Sequence, residues 1–217
     1  MQRLPSQTLK STLTLAEAGT VAAICFGLFT LFAVQAALAG FPEARFSDAG
    51  HASIVGMELV LASCALIYLN LRRFDIASLY PAPTVKGSVI GVALAIGICL
   101  VCVVVVALFE TPGQIDRVAV SFADVSPLAA VTLALVNGTY EEVFLLGVLT
   151  RGLRGFGLSV AVGLPLLVRL LYHVYQGPLG LVTVGVAGLG VTLTYLATGR
   201  LWPSVFAHIL LDLVPMM

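Results

Sequence analysis

Glu141 and Glu142 are adjacent acids inside the apolar run "VNGTYEEVFLLGVLTRG", in a chain that otherwise avoids charge. Four further ionisable groups follow within apolar surroundings: Arg169, His173, His208 and Asp212. Charge in hydrocarbon is costly and is kept where it lines a pathway or a reaction cavity. Carboxylates, imidazoles and a guanidinium together can exchange protons in a reaction cavity, or form a buried polar network that holds helices together. Arg169 and His173 are four residues apart, as are His208 and Asp212, so on helices each pair shares a face. Glu141 and Glu142 point roughly 100° apart on a helix, so they are expected to have different partners. One glutamate would stand in the cavity near His173 and His208, the other would pair with Arg169, and Asp212 would orient His208.

The elements that must position these groups are membrane helices. Of the 217 residues, 59% are hydrophobic and 10% charged, and the mean hydropathy is +1.06, far from the balance of soluble domains. Apolar stretches able to cross a bilayer, about 20 residues each, occur near 18–40, 52–71, 87–109, 126–149, 157–176, 178–198 and 201–216. The expected fold is an all-α polytopic bundle of about seven (six to eight) transmembrane helices, forming a single membrane domain over 1–217. The run from Ala18 to Gly40 is too long for a cleaved signal and is read as the first span. Net charge is zero without a basic run, which excludes a nucleic-acid partner and leaves the lipid bilayer as the surrounding medium.

Orientation follows from Lys and Arg, which favour cytoplasmic loops. With a cytoplasmic N-terminus, Arg3, Lys10, Arg72, Arg73, Lys86, Arg151, Arg154 and Arg200 fall inside, and only Arg45 and Arg117 fall outside, beside Glu43, Asp48, Glu110, Asp116 and Asp124. Cys25, Cys64, Cys99 and Cys102 read as small apolar packing residues. The sequon at Asn137 is out of reach of glycosylation within a span. Small residues in "GSVIGVALAIG" and "GVAGLG" let helices approach closely. Glu58, near the outer end of the second span, reads as structural.

The late order, Glu-Glu in "TYEEVFLLGVLTRGL", His in "RLLYHVYQG" and His-x-x-x-Asp in "LATGRLWPSVFAHILLDL", resembles the CAAX protease and bacteriocin-processing family. That family carries E-E-x-x-x-R, F-x-x-x-H and H-x-x-x-N or H-x-x-x-D, and the resemblance covers a catalytic core over 126–217. It implies an intramembrane endopeptidase of the glutamate type that cuts a peptide or protein substrate at the membrane. Glu141 would activate water, His173 would assist, and His208 with Asp212 would surround the oxyanion. Glu142 completes the catalytic set, with Arg169 and Tyr140 in support. Withdrawing a carboxylate from water makes it a better proton acceptor, which suits the role.

Two positions depart from the family pattern: Leu146 replaces its arginine, and Arg169 replaces its phenylalanine. One departure could compensate the other, with Arg169 supplying from the next helix the cation that Glu142 would otherwise find on its own. Two histidines with carboxylates could ligate zinc, but no H-E-x-x-H is present, and no cofactor is expected. The alternative is a non-catalytic scaffold or transporter using the cluster as a polar relay. Such proteins often carry paired inverted repeats, whereas here the polar groups crowd into the last part of the chain. Depth leaves one difficulty. On straight helices Glu141 and His208 lie roughly 12 to 15 Å from the inner edge and His173 about 25 Å, so "GLSVAVG" is expected to be partly loop, with Pro165 starting the helix.

Overall fold

The structure, a computed structural model, describes residues 9–109 and 120–214. Among the described residues seven α-helices run in chain order: α1 Leu15–Leu38, α2 Asp48–Leu71, α3 Val85–Phe109, α4 Pro127–Glu142, α5 Leu158–Tyr172, α6 Gly177–Thr198 and α7 Leu201–Leu213. The chain is an all-α membrane helix bundle, as its composition predicts. Among the described residues five helical stretches are long and apolar enough to cross a membrane. α5 and α7, with 15 and 13 residues, reach only about 20 Å at 1.5 Å per residue.

Each end of the bundle is tied. At one end Glu17 accepts from Lys10 Nζ and Arg72 Nε, both at 2.7 Å, while also closing a capping box with Thr14 at the start of α1. Leu13 N donates to Gly152 O over 2.9 Å, and Arg151 Nη1 donates to Ser78 Oγ over 2.6 Å. This end gathers most of the basic residues. At the other end β1 (Ala44–Ser47) pairs in parallel with β2 (Val120–Asp124), and Phe46 stacks on Phe122 at 5.0 Å. Ser126 N donates to Asp48 Oδ1 over 2.7 Å, which joins the start of α2 to that of α4. Arg3, Glu110, Asp116 and Arg117 lie outside the described residues.

α7 packs on α3 and α4, α2 on α4, and α1 on α5. Small residues mark the closest approaches, as expected in lipid. A Cβ on Gly138 of α4 would stand 3.0 Å from Ile209 N, and one on Gly91 of α3 would stand 2.9 Å from Pro203 O. These contacts bring the polar faces of α4 and α7 together.

Three expectations are corrected. α5 is continuous from Leu158, with Pro165 inside it rather than at its start. Proline lacks an N–H and so leaves the Ala161 carbonyl without its helical donor, yet the flanking apolar residues keep the helix. α2 begins at Asp48, so Glu58 lies ten residues and about 15 Å along it, at mid-helix rather than near its end. Beyond Glu142 the chain continues as a π-helix over Val143–Thr150, a wider winding that sequence periodicity does not announce and that recurs at functional sites.

Candidate active site

α4 carries both glutamates on its last turn, just before the π-helical stretch. Glu142 is fully buried, Arg169 is 4% exposed and Glu141 5%. Arg169 reaches from α5, its Nη2 2.6 Å from Glu142 Oε1 and its Nη1 3.5 Å from Glu141 Oε2. Its stem crosses α6 at Gly188, where a Cβ would stand 2.7 Å from Arg169 Cδ, so only glycine leaves room. The cation that Leu146 does not provide is thus beside Glu142, while Leu146 packs in an apolar cluster with Leu201 and Val205.

His208 enters from α7. Its Nδ1 lies 2.5 Å from Glu142 Oε1, and its Nε2 is 3.4 Å from Asp212 Oδ1 and 3.8 Å from Glu141 Oε2. The expectation of separate partners for the adjacent acids is therefore wrong. They share both Arg169 and His208. A guanidinium fork and an imidazole each present two nitrogens, far enough apart to span carboxylates that diverge around a helix.

Two participants were not anticipated. Tyr172 OH donates to Glu141 Oε2 over 2.5 Å. Asn137 Nδ2 donates to Asp212 Oδ2 over 3.0 Å. Spacing held the signal for both, since Tyr172 is three residues after Arg169 and Asn137 four before Glu141, each on the same helical face. All protein contacts of Glu141 among the described residues fall on Oε2, which leaves Oε1 for water or substrate.

His173 is the C-cap of α5, and its Nδ1 faces Arg169 O at 2.9 Å. A carbonyl only accepts, so Nδ1 carries the hydrogen and Nε2 keeps its lone pair. The ring lies against Tyr172, centroids 4.4 Å apart, and is half-buried. No hydrogen bond joins it to either glutamate among the described residues; it borders the cluster through Tyr172. Tyr140 faces the other way, donating to Cys25 O over 2.7 Å and packing on Phe26 and Phe144, so it anchors α4 to α1. Glu58 is 2% exposed, and its Oε2 has no protein partner among the described residues.

Donor atoms of Glu141, Glu142 and His208 lie within 4.8 Å of one another, a spacing that could hold a cation. Arg169 already presents a positive charge to both carboxylates of that set. An ion there would have to share Glu142 Oε1 with the guanidinium and with His208 Nδ1.

Fold and site define a membrane helix bundle with a buried cluster of carboxylates, an imidazole and a guanidinium. Residues 123–214, which carry every member of that cluster, match the family described as type II CAAX prenyl endopeptidase Rce1-like. That segment is therefore similar to the CAAX protease family, the same family that its motifs resemble. No curated protein and no solved structure matches the chain.

Proposed function

We propose that this protein is an intramembrane endopeptidase that hydrolyses a peptide bond near the membrane with a water activated by Glu141. The observation that carries the reading is the free Oε1 of Glu141, on a carboxylate whose other oxygen is fixed by Tyr172, Arg169 and His208. A base held in one orientation with one oxygen open is set up to take a proton from water. The family match over the same segment supports the reaction class.

In this mechanism Glu141 takes a proton as the water oxygen attacks the carbonyl carbon. His173, its tautomer fixed by Arg169 O, accepts through Nε2 and helps to orient the water. His208 with Asp212 flanks the oxyanion. When the C–N bond breaks, the amine leaves with the proton that Glu141 took from water. Glu142 bonds no reacting atom: with Arg169 it holds His208 in place. The step needs no metal, because Arg169 supplies the positive charge beside the carboxylates. The sealed Glu142–Arg169 pair favours this reading over a proton or ion relay, whose groups must exchange partners. The basic end of the bundle, with Lys10, Arg72 and Arg151, faces the cytoplasm.

The test is cleavage of a quenched peptide library, with and without a prenylated cysteine, by the purified protein in detergent. The expected result is discrete cleavage products. A well-folded protein that cuts no member would contradict the proposal.

A further inference from the structure

The oxyanion side of the site lacks an obvious donor. Asp212 occupies the last motif position, and an ionised carboxylate has no hydrogen to give. His208 has its Nδ1 on Glu142 and its Nε2 toward Asp212 and Glu141, so each ring nitrogen faces a carboxylate. Asn137 answers this shortage. The atom it turns to Asp212 Oδ2, 3.0 Å away, must be the NH₂ group, because a carboxylate can only accept. A primary amide has two N–H bonds, and Asp212 engages one of them. The other has no protein acceptor among the described residues. Asn137 lies one turn from Glu141 on the same face of α4, and both Asn137 and Asp212 are partly exposed where Glu142 and Arg169 are sealed.

We infer that Asn137 is a catalytic residue, its free N–H donating to the oxygen of the scissile carbonyl as charge develops there. Asp212 orients the amide, and the two exchange the parts that a single asparagine on α7 would play. The amide stays neutral throughout: the carbonyl electron pair moves onto the oxygen when water attacks and returns when the C–N bond breaks, with no proton passing through Asn137. The inference rests on the protease reading and adds to it the group that stabilises the transition state.

The experiment uses the full chain in detergent, with a quenched peptide that wild type cleaves and Glu141→Gln does not. Asn137→Ala is expected to lower kcat by about 10²- to 10³-fold, the usual loss of one oxyanion donor, with KM changed less than about threefold. Asn137→Ala/Asp212→Asn places an amide on α7 and should recover at least roughly tenfold of that loss. Asn137→Asp sets two carboxylates against each other and should be inactive, while Asn137→Asp/Asp212→Asn exchanges the pair and should recover activity. A role confined to orienting Asp212 would give no recovery in Asn137→Ala/Asp212→Asn. Full activity in Asn137→Ala, or no gain in either double variant when folded as wild type, overturns the inference alone. No Glu141-dependent cleavage by folded wild type overturns the protease reading and the inference with it.

Discussion

Replacing Arg169 by leucine removes the guanidinium that faces both glutamates, at 2.6 Å from Glu142 and 3.5 Å from Glu141. At an effective dielectric of about 20, unit charges about 4 Å apart attract by about 4 kcal/mol. Desolvation of both ions offsets much of that in the intact protein, but deleting one partner leaves the other buried and uncompensated, at a cost of about 3–5 kcal/mol. Glu142 is 0% exposed, so water cannot take over from Arg169. The loss is about a fifth or more of the total stability of an ordinary domain, about 5–15 kcal/mol. Reversible unfolding in mixed micelles should show it for Arg169→Leu. In Arg169→Leu/Glu142→Gln the fully buried carboxylate charge is gone and only that of Glu141 remains, and the cycle should give a coupling of about 2–3 kcal/mol. A single variant that costs under about 1 kcal/mol, or strict additivity in the double variant, would refute the compensation between Arg169 and the missing arginine at Leu146.

Other outcomes follow from the same contacts. Leu146→Arg alone forces a second guanidinium into an apolar cluster and should unfold the protein at a lower denaturant concentration than wild type. Combining it with Arg169→Phe, which restores the family pattern at both positions, should recover stability, read by the same unfolding assay. Tyr172→Phe removes the hydroxyl donor that fixes Glu141 Oε2. Peptide cleavage should fall by roughly tenfold to a hundredfold in kcat, about 1.4 to 2.7 kcal/mol, while unfolding changes by about 1 kcal/mol.

Much of the molecule was legible in the sequence because lipid imposes simple rules. Apolar length revealed the long spans, and the cost of intramembrane charge singled out Glu141, Glu142, Arg169, His208 and Asp212, which the fold brings into one cluster. Pairing of Arg169 with Glu142 could be anticipated from the loss of arginine at Leu146. What escaped depended on three-dimensional detail. The π-helix after Glu142 is a winding choice that leaves hydropathy unchanged. Pro165 reads as a helix start, yet packing holds it inside α5. Sharing of Arg169 and His208 by adjacent acids depends on forked side chains that helical angles alone do not consider. Asn137 and Tyr172 are uncharged and so carry no conspicuous cost in an apolar run, although their spacing from Glu141 and Arg169 was available. The mid-helix place of Glu58 emerged only once α2 was seen to start at Asp48.

The claim on which the account turns is that Glu141 activates water without a metal. The most direct measurement compares cleavage of one quenched peptide by wild type and Glu141→Gln, matched in their unfolding transitions, each with and without a chelator. Glu141→Gln is expected to lose at least about a hundredfold in kcat, and chelator to leave wild type unchanged. Activity retained in Glu141→Gln would contradict the role of the carboxylate. Loss with chelator, restored by zinc, would contradict the metal-free mechanism and assign Glu141, Glu142 and His208 to a bound ion.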